Sequence, residues 1–240
     1  LSSICFLYAN QKQTYHKIIS LSPYVTEIIF RLGDEKNLAA VTDYCNRPLS
    51  AKNKPKIGGI INPNLEEILK LAPDLIIATK EDQSKKTVEK LRALNLNVLV
   101  LEETKNFEDI KTNFLKIADA INKTELAKRH LEKIISKITK LQNNNLKSTF
   151  VILEREPLIT ISQGSYINDI LLSAGMKNIV DSKKPRYPVF SREQFLSLNP
   201  SFILDLTDAK KFNIDVFMRP NPYAFLEAVE TLGKLQNEKI

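Results

Sequence analysis

Residues 17–33 read KIISLSPYVTEIIFRLG, and residues 150–175 read FVILEREPLITISQGSYINDILLSAG. Both stretches begin with a short apolar run, pass through a loop and continue into a helical pattern that stops at a glycine. Ile18–Leu21 reads as a buried strand, Ser22-Pro23 opens a helix with proline in the first turn, and Gly33 ends it. The later copy gives a strand over Thr149–Leu153 and a helix over Ser165–Ala174. Each copy then leads to a helix whose end is marked by a proline just before another strand, NLEEILKLAPDLIIA at 64–78 and SREQFLSLNPSFILDL at 191–206. One architecture used twice predicts two α/β lobes, and two lobes predict a cleft between them.

The first lobe spans residues 16–105. Further strands are expected over Leu38–Thr42, Leu75–Ala78 and Asn97–Leu101, and helices over Leu65–Leu71 and Lys85–Leu94. Asn64 is placed to cap the first of these helices, with Glu66 and Glu67 at the favourable end of its dipole. Leu75–Ala78 is apolar throughout, as strands buried on both faces are. Alternation of strand and helix makes the lobe Rossmann-like with a mainly parallel sheet.

Residues 106–145 carry no strand signal. Phe107, Ile110, Phe114, Ile117, Ala118 and Ile121 recur at helical spacing. A longer helix starts at Thr124, carries Leu126, Leu131, Ile134, Ile135, Ile138 and Leu141 on one face, and stops at Asn143-Asn144-Asn145. About 20 helical residues at 1.5 Å each span roughly 30 Å, the width of a small domain, so this segment is expected to be a stiff backbone helix joining the lobes. The second lobe, residues 146–240, holds the repeated unit, a helix over Ser191–Leu198, a strand over Phe202–Leu206 and a last helix over Tyr223–Leu235. FNIDVF at 212–217 has the composition of a strand.

The chain has 240 residues, 43% of them apolar and 26% charged, with a formal net charge of +7. The lysines are scattered over helix faces, and no zinc-finger spacing, aromatic RNA-binding signature or arginine-rich arm points to nucleic acid. LSSICFLYA at 1–9 is uncharged and apolar and is followed at once by polar NQKQTYHK, which reads as the remnant of a secretory signal. Cys5 lies inside it, so only Cys45 is left for the exported part and no internal disulfide is expected.

Catalytic chemistry is poorly represented. His16 and His130 are the only histidines, and His130, among Lys128, Arg129 and Lys133, reads as solvated. HExxH, nucleophile-elbow, Walker and GxGxxG motifs are absent. No catalytic residue and no metal site is expected. The residues with recognition chemistry instead sit on loops after strands, where open α/β sheets bind ligands: Tyr24; Tyr44 and Arg47 in DYCNRP; Lys80 and Glu81; Arg155; and Arg186, Tyr187 and Phe190 in KKPRYPVFS.

SLSPYVTEIIFRLG, DYCNRP, IGGIINPNLEEILKLAPDLIIA, LLSAGMKNIV and RYPVFSREQFLSLNPSFILDL together resemble the periplasmic substrate-binding proteins of ABC importers for cobalamin and iron chelates, the class with two lobes joined by one long helix. The resemblance covers residues 17–208 and the final helix. It implies a binding protein, not an enzyme, that lies in the periplasm, acts as a monomer, uses no cofactor of its own, and passes a metal chelate to the permease dimer of an ABC importer.

The cobalamin-binding members are nearest, through YPVFSREQFL, and their ligand-facing aromatics correspond to Tyr44 and Tyr187. Ile60 and Thr79 stand where that pocket has tryptophans. Arg47, Arg155 and Arg186 suit an anionic iron chelate or siderophore, so a corrinoid and an iron chelate or haem both stand as ligands at this level. The glutamates with which the class docks its permease align with Lys85 and Met218, leaving Glu81 or Asp82 on one lobe and Glu227 or Glu230 on the other as substitutes. An enzyme of nitrogenase-like fold acting on a tetrapyrrole is the competing class. It needs several cysteine ligands, and Cys45 alone does not supply them.

Overall fold

A computed structural model describes residues 13–141, 146–181, 183–208 and 213–237. The expected signal remnant at 1–9, with Cys5, and the Asn143-Asn144-Asn145 stop lie outside these residues.

The protein is α/β with parallel sheets. Its strands are β1 (Ile18–Ser20), β2 (Leu38–Val41), β3 (Leu75–Thr79), β4 (Val98–Leu101), β5 (Lys147–Ile152), β6 (Glu154–Arg155), β7 (Leu158–Ile159), β8 (Met176–Asn178) and β9 (Phe202–Asp205). Its helices are α1 (Pro23–Arg31), α2 (Leu65–Leu71), α3 (Lys85–Ala93), α4 (Phe107–Ala120), α5 (Thr124–Leu141), α6 (Tyr166–Ser173), α7 (Arg192–Leu198), α8 (Ile214–Phe217) and α9 (Pro222–Asn237).

The chain divides into two compact units, each discontinuous in sequence. The first comprises residues up to Ala78, Asp82–Val100 and Lys116–Glu125, and the second Thr79–Glu81, Leu101–Leu115 and Leu126 onward. The helical segment is therefore shared, with most of α5 counted in the second unit.

The first unit is built on a four-stranded sheet in the order β2-β1-β3-β4. β1 pairs in parallel with both β2 and β3. Strands at the centre of such a sheet are covered on both faces, and β1 and β3 are buried along their whole length. The core between sheet and helices includes Ile19, Leu21, Ile57, Ile68, Ile76 and Leu91. The predicted caps form as expected: the Asn64 side chain accepts from the amides of Glu66 and Glu67, and Gly33 takes φ +69° at the end of α1, a conformation open to glycine at little cost.

The second unit holds a three-stranded sheet in the order β8-β5-β9, parallel throughout, and a two-stranded antiparallel ribbon of β6 and β7. Its core gathers Val151, Ile167, Leu171, Leu204, Phe217, Phe225 and Leu232. The buried stripe of α5 is Ala127, Leu131, Ile134 and Ile138. It is narrower than expected, because Ile135 and Leu141 point to solvent.

Two readings of the sequence are corrected here. Phe212 lies outside the described residues, and the rest of FNIDVF does not give a strand: Ile214–Phe217 is a short helix, and the adjacent Val216 and Phe217 are both buried, which an alternating half-exposed strand does not allow. His130 is not a solvated residue: it is half-buried and its Nδ1 lies 2.6 Å from the Tyr223 hydroxyl of α9.

Candidate functional site

The loop after β2 shows how the fold displays one residue by burying its neighbours. The amide of Cys45 donates to the carbonyl of Thr42 and closes a turn over Asp43 and Tyr44. Thr42 and Cys45 are fully buried. The Cys45 thiol sits 3.1 Å from the Thr42 hydroxyl and accepts from the Thr26 hydroxyl of α1. Lys56 donates from its ammonium to the carbonyl of Cys45, and the Asp43 amide donates to the Gly58 carbonyl. The turn is thus tied at both ends, and Tyr44 at its crest is 62% exposed. The pinned turn thus holds a large aromatic side chain in water.

Arg47 follows in the same loop and is half-buried. Tyr24 behaves differently. It lies in the first turn of α1 with only 4% of its surface exposed. The sequence placed it on the loop after β1. The helix opens at Ser22-Pro23 as expected, so Tyr24 already lies within it, and its ring turns inward.

In the second unit, residues 186–190 run extended beside 158–162. The Ser162 amide donates to the Arg186 carbonyl, Thr160 to Pro188, and Phe190 donates back to Leu158. An extended segment alternates its side chains, and this one does: Pro188 is buried, while Tyr187 and Val189 are 38% and 61% exposed. Phe190 does not project freely. Its ring packs edge-on against Phe150 of β5, 5.6 Å between centroids, beside Phe195 of α7, 4.8 Å from the same ring. This aromatic cluster anchors the segment that carries Tyr187.

The expected arginines are engaged within the protein. Arg186 pairs with Glu103 at 2.9 Å and is 19% exposed. Glu103 belongs to the loop after β4, far from Arg186 along the chain. Arg155 sits between Glu154 and Glu156 in the sequence. Instead its guanidinium donates through Nε and Nη2 to Asp205 at the end of β9, at 3.0 and 2.6 Å. Burial pushes the Asp205 carboxyl up, but hydrogen bonds from Thr207 and Arg155 outweigh it and hold the group below the usual range.

The two carboxylates expected at a docking surface also have partners. Glu81 is exposed and accepts from the backbone amide and the hydroxyl of Thr104. Glu227 of α9 remains about half exposed and faces Arg219 at 3.3 Å. Lys85 is almost fully exposed, and Met218 is 44% exposed.

One residue that sequence reasoning missed stands out. Gln83 is buried, and its amide nitrogen donates to the carbonyls of Leu21 and Ile60. Its only signal in the sequence was its position shortly after β3, next to the loop residues Lys80 and Glu81.

Among the described residues no group of three or more His, Cys, Asp or Glu side chains is placed to hold a metal, and no helix is long and apolar enough to cross a membrane.

The sequence matches the family described as Periplasmic binding protein over residues 18–232. It is 28% identical over 211 residues to the vitamin B12-binding protein of Pectobacterium carotovorum subsp. carotovorum (strain PC1), an alignment covering 85% of this chain and 76% of that one. It is 29% identical over 209 residues to the vitamin B12-binding protein of Vibrio vulnificus (strain CMCP6), covering 83% and 75%. Among solved structures it is similar to the periplasmic vitamin B12 binding protein BtuF of Vibrio cholerae, with a TM-score of 0.75 and 26% identity over 94% of this chain and 99% of that one.

Proposed function

The chain belongs to the periplasmic binding protein family, a family of binding proteins and not of enzymes, and from that premise we propose that it captures a corrinoid of the vitamin B12 type for import. The observation that carries this reading is the fate of the charges. Arg155 and Arg186, which an anionic iron chelate needs, are neutralised by Asp205 and Glu103, while Tyr44 is left open to solvent. A large, nearly neutral ring system draws on aromatic faces. A polyanionic siderophore draws on guanidinium groups with no other partner. The relatives named as vitamin B12-binding proteins support the same ligand.

In this reading Tyr44 and Tyr187 each contribute a ring to the ligand, and Arg47 supplies a polar contact. Tyr24 and Phe190 support the loops from within, and the metal stays inside the chelate as cargo. The protein works as a monomer in the periplasm and delivers its ligand to the permease dimer of an ABC importer, with Glu81 and Glu227 as the carboxylates offered to that partner.

Ligand-free protein titrated calorimetrically with cyanocobalamin, haemin and a ferric catecholate siderophore tests the assignment. One-to-one binding of cyanocobalamin with Kd below about 1 μM, roughly −8.2 kcal/mol, is expected, with haemin and the siderophore at least tenfold weaker. Binding of haemin or siderophore without cyanocobalamin binding overturns it.

A further inference from the structure

Residues 57–64 form a tight excursion beyond the end of β2. The Asn64 amide donates to the Ile57 carbonyl at 2.8 Å, Gly58 and Pro63 form an antiparallel bridge, and Gly58 takes φ +86°. Ile60 and Ile61 lie at its tip, and Ile61 is 67% exposed. The base of the excursion is tied to the Tyr44 turn through the bond from the Asp43 amide to the Gly58 carbonyl, 3.0 Å. The tip is tied by Gln83, which is 5% exposed and donates 3.0 Å to the Leu21 carbonyl after β1 and 3.2 Å to the Ile60 carbonyl.

Two carbonyls from separate segments, facing one buried nitrogen, need a group with two hydrogens. A primary amide has them. An ionised carboxylate, its nearest isostere, has none and places negative charge against both oxygens. The tip so fixed presents the aliphatic side chain of Ile61 to solvent on the same unit as the exposed Tyr44 ring.

We propose that Gln83 is a positioning residue for ligand recognition. Its amide clamps the 57–64 excursion to the end of β1 and fixes Ile61 in register with the Tyr44 turn, making one apolar contact surface for the edge of a large neutral ring system. This rests on the corrinoid reading and adds to it the residue that sets the shape of the first unit's contact surface.

The test compares wild type with Gln83→Glu and with the uncharged, isosteric Gln83→Met. Cyanocobalamin affinity and backbone amide exchange at Gly59–Ile61 are the readouts. Gln83→Glu is expected to weaken cyanocobalamin binding at least tenfold at pH 7.5. At pH 5 it regains part of that loss, because the protonated carboxyl recovers one donor, while wild type shows no such gain. Gln83→Met is expected to weaken binding at both pH values alike. Exchange at Gly59–Ile61 rises at least tenfold in both variants, with the circular dichroism of the fold unchanged. Unchanged affinity and unchanged exchange in both variants overturn the proposal. If wild type does not bind cyanocobalamin, the corrinoid reading fails, and exchange alone decides: faster exchange in the variants supports the clamp, and equal exchange overturns it. If Gln83→Glu does not fold, Gln83→Met carries the same decision.

Discussion

Arg186 and Glu103 form an ion pair 2.9 Å long in the second unit, with the arginine largely covered. The pair ties the segment that carries Tyr187 to the loop after β4. A guanidinium spent in this way is a structural group, and its removal leaves a half-exposed carboxylate rather than an empty ligand contact. Arg186→Ala is therefore expected to lower the unfolding free energy by about 1 kcal/mol and to change cyanocobalamin affinity less than threefold. Urea unfolding and calorimetry on the same preparation check both. A loss of affinity of tenfold or more with unchanged stability contradicts the structural role.

Tyr44 gives the opposite pattern. Its ring is mostly in solvent, so Tyr44→Ala removes little from the core. The Tm should stay within about 2 °C, since surface substitutions cost no more than about 0.5 kcal/mol. Cyanocobalamin affinity should fall at least tenfold, which corresponds to about 1.4 kcal/mol. Parallel thermal melts and titrations separate the two effects, and equal affinity for variant and wild type removes Tyr44 from the contact surface.

Much of this was legible in the chain because the signals were local. Asn64, Pro23 and Gly33 marked helix ends by their own hydrogen-bonding and backbone chemistry, and α2 falls on the residues the pattern named. Leu75–Ala78 declared itself a buried strand by composition alone, and the structure extends it by Thr79. The ribbon of β6 and β7 was missed because strands of two residues carry no period, and β8 because it has only three residues, two of them the polar Lys177 and Asn178. The candidate site was legible only in outline. Strand ends located its loops, but the partners of Arg155 and Arg186 lie on distant segments, and the inward turn of Tyr24 depends on packing around α1. Gln83 and His130 were passed over for the same reason: their roles come from groups that only the fold brings near.

His130 makes the stability of the second unit depend on pH. Burial first, then the charges of Lys133 and Arg129, hold its imidazole pKa below the ordinary value of 6.5. The folded state therefore binds fewer protons than the unfolded chain in the window just below pH 6.5, and stability falls as pH drops through it. The contribution is fully present above pH 6.5. Urea midpoints at pH 7.5 and pH 5.5 are expected to fall more in wild type than in His130→Gln, whose side chain does not titrate and retains an amide to meet the Tyr223 hydroxyl. Equal falls in the two proteins contradict the assignment.

Helix α7 depends on its cap more than on its burial. None of its residues is buried, although Phe195 touches Phe150. The Ser191 hydroxyl accepts from the Gln194 amide at 3.2 Å, and the Gln194 side chain accepts from the Ser191 amide at 2.9 Å. With little tertiary packing to compensate, loss of this reciprocal pair acts directly on local opening. Ser191→Ala is expected to cost about 1 kcal/mol, read as roughly fivefold faster amide exchange across α7, because 1 kcal/mol is a factor of about five in an equilibrium. Amides of β5 and α6 should keep their rates, since opening of one marginal helix is a sub-global event. Adding Gln194→Ala to that variant should change α7 exchange little further, because the cap is already broken. A second fivefold increase shows that the two side chains act independently, and uniform acceleration across the second unit shows that α7 opens only with the whole unit.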